Sequence, residues 1–187
     1  LSELKRGIYV KTDWGNVRPS WHLQCATMSM KYLGDSYDIH TASRELTFPH
    51  HENEIAIAGA LTGKPLARFW IHCERVLVDG KKMDEKGEGL TVQHLMDMGF
   101  SGREIRYWLI SSHYRKPVQF ARTKLVNARN SLQRMDSCIS RLHELGDGPS
   151  YPDLDQLLYD IRHGFVDAMD DDLNISAALA TIFSMIK

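Results

Sequence analysis

The sequence predicts an α/β region followed by an all-helical one. Two observations carry this. Through about residue 100, short β-prone runs alternate with helix-length segments that open near proline and close on glycine, a pattern that implies a mainly parallel sheet. From about residue 91 the apolar residues recur at spacings of three and four, the period of a helix with one buried stripe.

Taken in order, Tyr9–Val10 reads as a strand end. Pro19–Leu33 reads as a helix, with Pro19 in its first turn and Gly34 just past its end. Tyr37–Ile39 is a short strand. Pro49 is expected to open a second helix that runs to about Leu61 and closes on Gly63. Phe69–His72 is a strand. Asp79–Gly80 is a turn signal, and Lys86–Gly89 reads as a charged, glycine-rich loop. In the helical region, Leu125, Ala128, Leu132, Met135, Ile139 and Leu142 form one stripe, and Gly146–Pro149 breaks it. Leu154, Leu157, Leu158, Ile161 and Phe165 form a second stripe. Asn174 or Ser176 can cap a third helix running to Lys187. The apolar face of that helix calls for further chain or a partner to cover it.

At 187 residues the chain can bury a substantial core, and 43% hydrophobic with 25% charged residues is ordinary for a globular protein. No apolar run approaches the roughly 18–20 residues of a membrane span, and the first residues lack a signal-peptide layout. Three widely separated cysteines do not make a disulfide framework, so a reducing, cytoplasmic setting is expected. Net charge is −1, but its distribution is uneven. Residues 101–134 carry eight Lys or Arg against Glu104 alone, and residues 144–172 carry nine acids against Arg162. The basic stretch suits either a polyanion-facing surface or a solvated helix face.

The segment PHHENE, residues 49–54, carries the strongest chemistry. On a helix opened by Pro49, His50 and Glu54 are four apart and share one face, while His51 points about 100° away. An imidazole and a carboxylate side by side, joined by the Cys25 thiolate from an earlier helix, suit zinc, which accepts S, N and O ligands together. The fourth position is left to another residue, a water or a substrate atom. His51 could replace His50 on the same spacing. The alternative is an ordinary surface ion pair beside a buried cysteine. Cys73 and Cys138 have no comparable cluster, and the residues lack the HExxH pattern of zinc hydrolases.

These residues also carry a resemblance. RPSWHLQCATM, residues 18–28, is similar to GRPGWHIECSAM of the cysteinyl-tRNA synthetases. DIH at 38–40 with FPHHENEIA at 48–56 resembles that family's FDIHGGGxDLxFPHHENEIA. FWIH at 69–72, HYRKPV at 113–118 and AMDDDLN at 168–174 resemble its yWmH, hYRSPL and aMDDDfNT. A related cysteine ligase of thiol biosynthesis shares much of the pattern but lacks the full HHENE.

The resemblance implies a class I architecture: the second half of a Rossmann-like catalytic domain at residues 1–76, a KMSKS-like loop and stem-contact segment at 77–118, and an α-helical bundle facing tRNA at 119–187. It implies Zn2+ on Cys25, His50 and Glu54, Trp21 lining the cysteine pocket, and ATP, with Mg2+, as a substrate. Lys82, Met83 and Lys86 fall in the loop that handles ATP phosphates. Arg115, Lys116, Arg122, Lys124 and Arg129 fall in the tRNA-facing basic stretch. The implied activity is ATP-dependent activation of cysteine and its transfer to tRNA(Cys). Three departures accompany it. A HIGH-like motif and the family's N-terminal zinc-binding cysteine are not in the sequence, so the chain is expected to begin midway through the catalytic domain. Thr41–Glu45 replaces the family's glycines. The second lysine of KMSKS is Glu85, an anion where the transferring phosphates need a cation.

Overall fold

In the computed structural model, residue 7 and residues 9–82, 90–146, 148 and 152–186 are described. They form two compact units, Leu1–Cys73 and Glu74–Lys187.

The first unit begins with an antiparallel hairpin of β1 (Val10–Thr12) and β2 (Gly15–Val17). Helix α1 spans Trp21–Leu33. It starts two residues later than the proline rule suggests, because Ser20 is extended (ψ 155°) and occupies the cap. Strand β3 (Tyr37–Ser43) pairs in parallel with β4 (Ala67–Cys73). Both are longer than their β-prone centres, since the ladder continues through Thr41–Ile71 to Ser43–Cys73. Helix α2 (Glu52–Thr62) crosses between them and closes on Gly63 in the left-handed conformation (φ 68°). Pro49 does not open this helix. It lies in a wide turn over Thr47–His51, where Phe48 is extended (φ −131°, ψ 134°), the conformation favoured before proline. Ala26, Ala58, Leu66 and Ala67 form the buried apolar centre of this unit.

In the second unit, β5 (Val76–Val78) and β6 (Lys81–Lys82) make a hairpin across Asp79–Gly80. Both turn residues have positive φ (50° and 74°), the geometry of a tight type I′ connection. β7 (Val118–Gln119) adds to β5 in parallel. The described strands thus form three small sheets, one parallel, one antiparallel and one mixed, rather than one mainly parallel sheet. The Lys86–Gly89 loop expectation lies outside the described residues.

Helices α3 (Val92–Asp97), α4 (Gly102–Ile110) and α5 (Arg122–Glu144) build the main core. Leu95, Phe100, Ile105, Trp108, Leu125 and Ala128 are packed together there. Ser101 and Glu104 form a reciprocal capping box at the start of α4. Glu104 also receives Arg129 of α5 at 2.6 Å and 3.2 Å, so one carboxylate starts a helix and docks the next.

The apolar stripe of α5 is buried at Leu125, Ala128 and Leu132 but exposed at Ile139 and Leu142. Helix α6 (Leu154–Asp170) packs on α7 (Ile175–Met185). They touch closely at Gly164, where a Cβ would lie 3.0 Å from the Thr181 methyl. Asn174 caps α7 by accepting from Ala177 N–H, while Ser176 instead donates to Ser111 O.

Leu125→Ala should destabilise the protein by about 2–5 kcal/mol, because a fully enclosed side chain leaves a cavity. Leu142→Ala, at a position 57% exposed, should stay within about 0.5 kcal/mol. Chemical denaturation of the two variants checks the contrast.

Candidate functional site

The site is assembled within the first unit. Trp21 and Cys25 lie one turn apart on α1. His50 sits on the wide turn before α2, and Glu54 lies in the first turn of α2. Although His50 precedes the regular helix, the four-residue spacing still brings its Nε2 to 2.8 Å from Glu54 Oε1. One donor atom each from Cys25, His50 and Glu54 lies within 4.8 Å of the others. Trp21 leans over the His50 ring, with centroids 4.5 Å apart.

Glu54 is 1% exposed, and its buried Oε2 has no hydrogen-bond partner among the described residues. Loss of hydration pushes its carboxyl up to about 6. The Cys25 thiol is pushed up as well, first by burial and then by the Glu54 charge. The Glu54 charge disfavours ionisation of the Cys25 thiol, while the hydrogen bond from that thiol pulls the Glu54 carboxyl part of the way back down. A divalent cation between them reverses that penalty and gives Oε2 a partner. The residues fit zinc in type, one thiolate, one imidazole and one carboxylate.

His51 faces another way. It is 2% exposed, and its Nδ1 lies 2.9 Å from His72 Nε2. Its pKa falls to about 4, chiefly through burial and then through the charges of His40 and His72. The spacing ambiguity between His50 and His51 therefore resolves in geometry: His50 meets Cys25 and Glu54, while His51 meets the β4 side chains. His40 stacks on Trp70 at 4.2 Å, and its Nδ1 lies 2.6 Å from Tyr37 Oη. Burial lowers the His40 pKa. Tyr37 was not singled out in the sequence. Strand parity was the available signal for the rest, since Trp70 and His72 alternate onto one face of β4, and the ladder pairs Trp70 with His40.

The other expected site residues are placed differently. Lys82 ends β6, while Met83 and Lys86 lie outside the described residues, as does Glu85. Arg115 and Arg129 are already committed to carboxylates: Arg115 Nε meets Asp172 Oδ2 at 2.5 Å, and Arg129 meets Glu104. Lys116, Arg122 and Lys124 are exposed. Asn174 takes the capping role at the start of α7.

Residues 3–130 match the family model described as tRNA synthetases class I (C) catalytic domain. The chain belongs to this family. Residues 164–187 match the DALR domain, so a helical DALR region follows the catalytic fragment. A protein of Chlamydia felis named "Cysteine--tRNA ligase" is 44% identical over 187 residues, covering 96% of this chain and 38% of that protein. One of Carboxydothermus hydrogenoformans with the same name is 38% identical, covering 96% and 39%. The chain thus spans under two-fifths of the length of these curated relatives. A solved structure of LeuRS from Agrobacterium radiobacter K84, in a ternary complex with tRNA and LeuAMS, aligns with all of this chain and 29% of its own. The TM-score is 0.64 at 15% identity, a likeness of fold. Among the described residues, no helix of this class I chain is long and apolar enough to cross a membrane.

Zinc affinity should rise steeply from pH 5 to 7. Glu54 must lose a proton whose folded pKa is about 6, and the raised Cys25 thiol releases another on binding. Titration with a competing chelator at several pH values measures this; a flat profile contradicts it.

Proposed function

We propose that this chain is the zinc-bearing part of a synthetase that activates cysteine with ATP and transfers it to tRNA(Cys). The observation that carries this reading is the convergence of Cys25, His50 and Glu54 in a chain whose relatives are named for that reaction. In this reading residues 1–76 are the second half of a Rossmann-like catalytic domain. Residues 77–118 hold the KMSKS-like loop and stem contact, and 119–187 form the tRNA-facing bundle, in a cytoplasmic enzyme.

When bound, zinc supplies a thiophilic Lewis-acid contact that distinguishes the thiolate of cysteine from the harder, less acidic hydroxyl of serine. The chain's own residues do the rest. Cys25, His50 and Glu54 hold the ion, and the buried Glu54 carboxylate balances its charge. Trp21, leaning over His50, lines one side of the amino-acid site. Lys82 and Lys86, with Met83, belong to the segment that meets ATP and its Mg2+. Lys116, Arg122 and Lys124 meet tRNA phosphates, and Arg115 and Arg129 act there through the architecture they hold.

A second reading is a non-catalytic paralogue that keeps zinc, with or without tRNA, and has lost adenylation. Glu85 and the Thr41–Glu45 replacement favour it, because an anion opposes the transferring phosphates. The deciding measurement is cysteine-dependent ATP–pyrophosphate exchange by the natural full-length protein. Exchange is expected, together with loss of zinc in His50→Ala beyond the roughly 10–100-fold that changes behind the ligands cost. Absence of exchange at saturating cysteine would sink the first reading. Its appearance only after Glu85→Lys and glycines at 41–43 would establish the second.

A further inference from the structure

The turn between α6 and α7 contains two consecutive residues in the left-handed region, Asp172 (φ 53°) and Leu173 (φ 56°). Helices usually end with one such residue, and it is usually glycine. Asp tolerates this conformation, but Leu does so at a cost. Here the chain doubles back so that Asn174 N–H donates to Ala168 O and Leu173 N–H to Met169 O. A conformation of this kind persists only where its surroundings enforce it.

The surroundings are distant in sequence. Tyr114 Oη donates to Asp172 Oδ1 at 2.5 Å, and Arg115 donates through Nε to Oδ2 at 2.5 Å and through Nη2 to Oδ1 at 3.1 Å. His113 Nε2 stands 3.8 Å from the same carboxylate, and its ring stacks on Tyr114. Ser176 adds a bond to Ser111 O. Residues 111–115 therefore grip the turn at several points. The segment they belong to is in turn fastened to the strand leading to Lys82: Glu74 N–H donates to Tyr114 O, Val118 N–H to Arg75 O and Phe120 N–H to Leu77 O. One carboxylate thus joins the α6–α7 hairpin to the segment that pairs with β5.

We propose that Asp172 is a positioning residue that fixes the α6–α7 hairpin against residues 113–120, so that use of tRNA, but not formation of the adenylate, depends on it. This rests on the synthetase reading above. Adenylate formation needs cysteine and ATP at the zinc and lysine positions. Transfer also needs a tRNA held by the helical region in register with them.

Asp172→Asn is the informative variant, because Asn keeps the left-handed backbone while losing the anionic acceptor. In the natural full-length protein it should leave kcat and KM of cysteine-dependent pyrophosphate exchange within about twofold. It should lower kcat/KM for tRNA in aminoacylation about tenfold, within the usual range of coupling between sites. Arg115→Lys, which keeps charge but loses the fork, should fall between wild type and this variant. A parallel fall in exchange, or no fall in either reaction, overturns the proposal. Amide hydrogen exchange separates it from the synthetase reading. Asp172→Asn should loosen residues 173–176 and 113–116 together, and loosening confined to one segment overturns the joint. A wild type without pyrophosphate exchange removes the synthetase reading and the tRNA half of this one, while the amide data still decide the joint.

Discussion

Taking the Glu54 carboxylate out of water costs several kcal/mol unless opposite charge or hydrogen bonds replace its hydration. His50 supplies one such bond, and Oε2 lacks one among the described residues. The local structure is arranged around this debt. The extended Phe48 and the wide turn before α2 bring His50 over the first turn of that helix. The same turn sends His51 to the opposite side, among Trp70 and His72. Adjacent histidines therefore serve different neighbourhoods: one meets Cys25 and the carboxylate, the other closes the face of β4.

The second unit depends on ion pairs placed at junctions rather than on a deep core throughout. Past Leu132, Ala178 is buried in α7, while Ile139, Leu142, Leu157 and Leu158 are exposed. Order in the outer part comes from specific contacts: the Gly164–Thr181 crossing, the Asn174 cap and the carboxylate of Asp172. Arginine suits such junctions because its planar fork engages both carboxylate oxygens, as Arg103 does with Asp136 at 2.7 Å for each contact.

Local patterns were readable in the sequence wherever the physics is local. The Asp79–Gly80 turn, the Gly63 helix end and the Asn174 cap each depend on a few consecutive residues, and each is where its residue types require it; the α5 stripe is buried only over Leu125–Leu132. The trio of Cys25, His50 and Glu54 was readable because two of its members sit four apart. Where reading failed, a competing constraint acted. The backbone preference before Pro49 displaced the helix start to Glu52. The role of Asp172 is set by partners 57 and 58 residues away, and no periodicity reports these. Arg115 and Arg129 looked available because their acids, Asp172 and Glu104, stand out only as charges in a sequence, not as neighbours.

That last point alters how the basic stretch meets a polyanion. Of its eight cations, Arg103, Arg115 and Arg129 hold carboxylates among the described residues. Binding to a nucleic-acid backbone draws its strength from small ions set loose as cations replace them. Each of the three paired arginines can join in only by exchanging one anion for another, which sets little loose. On the tRNA-facing reading proposed above, such a surface is less sticky toward arbitrary phosphate chains than its composition suggests, and its discrimination shifts toward the shape of the partner.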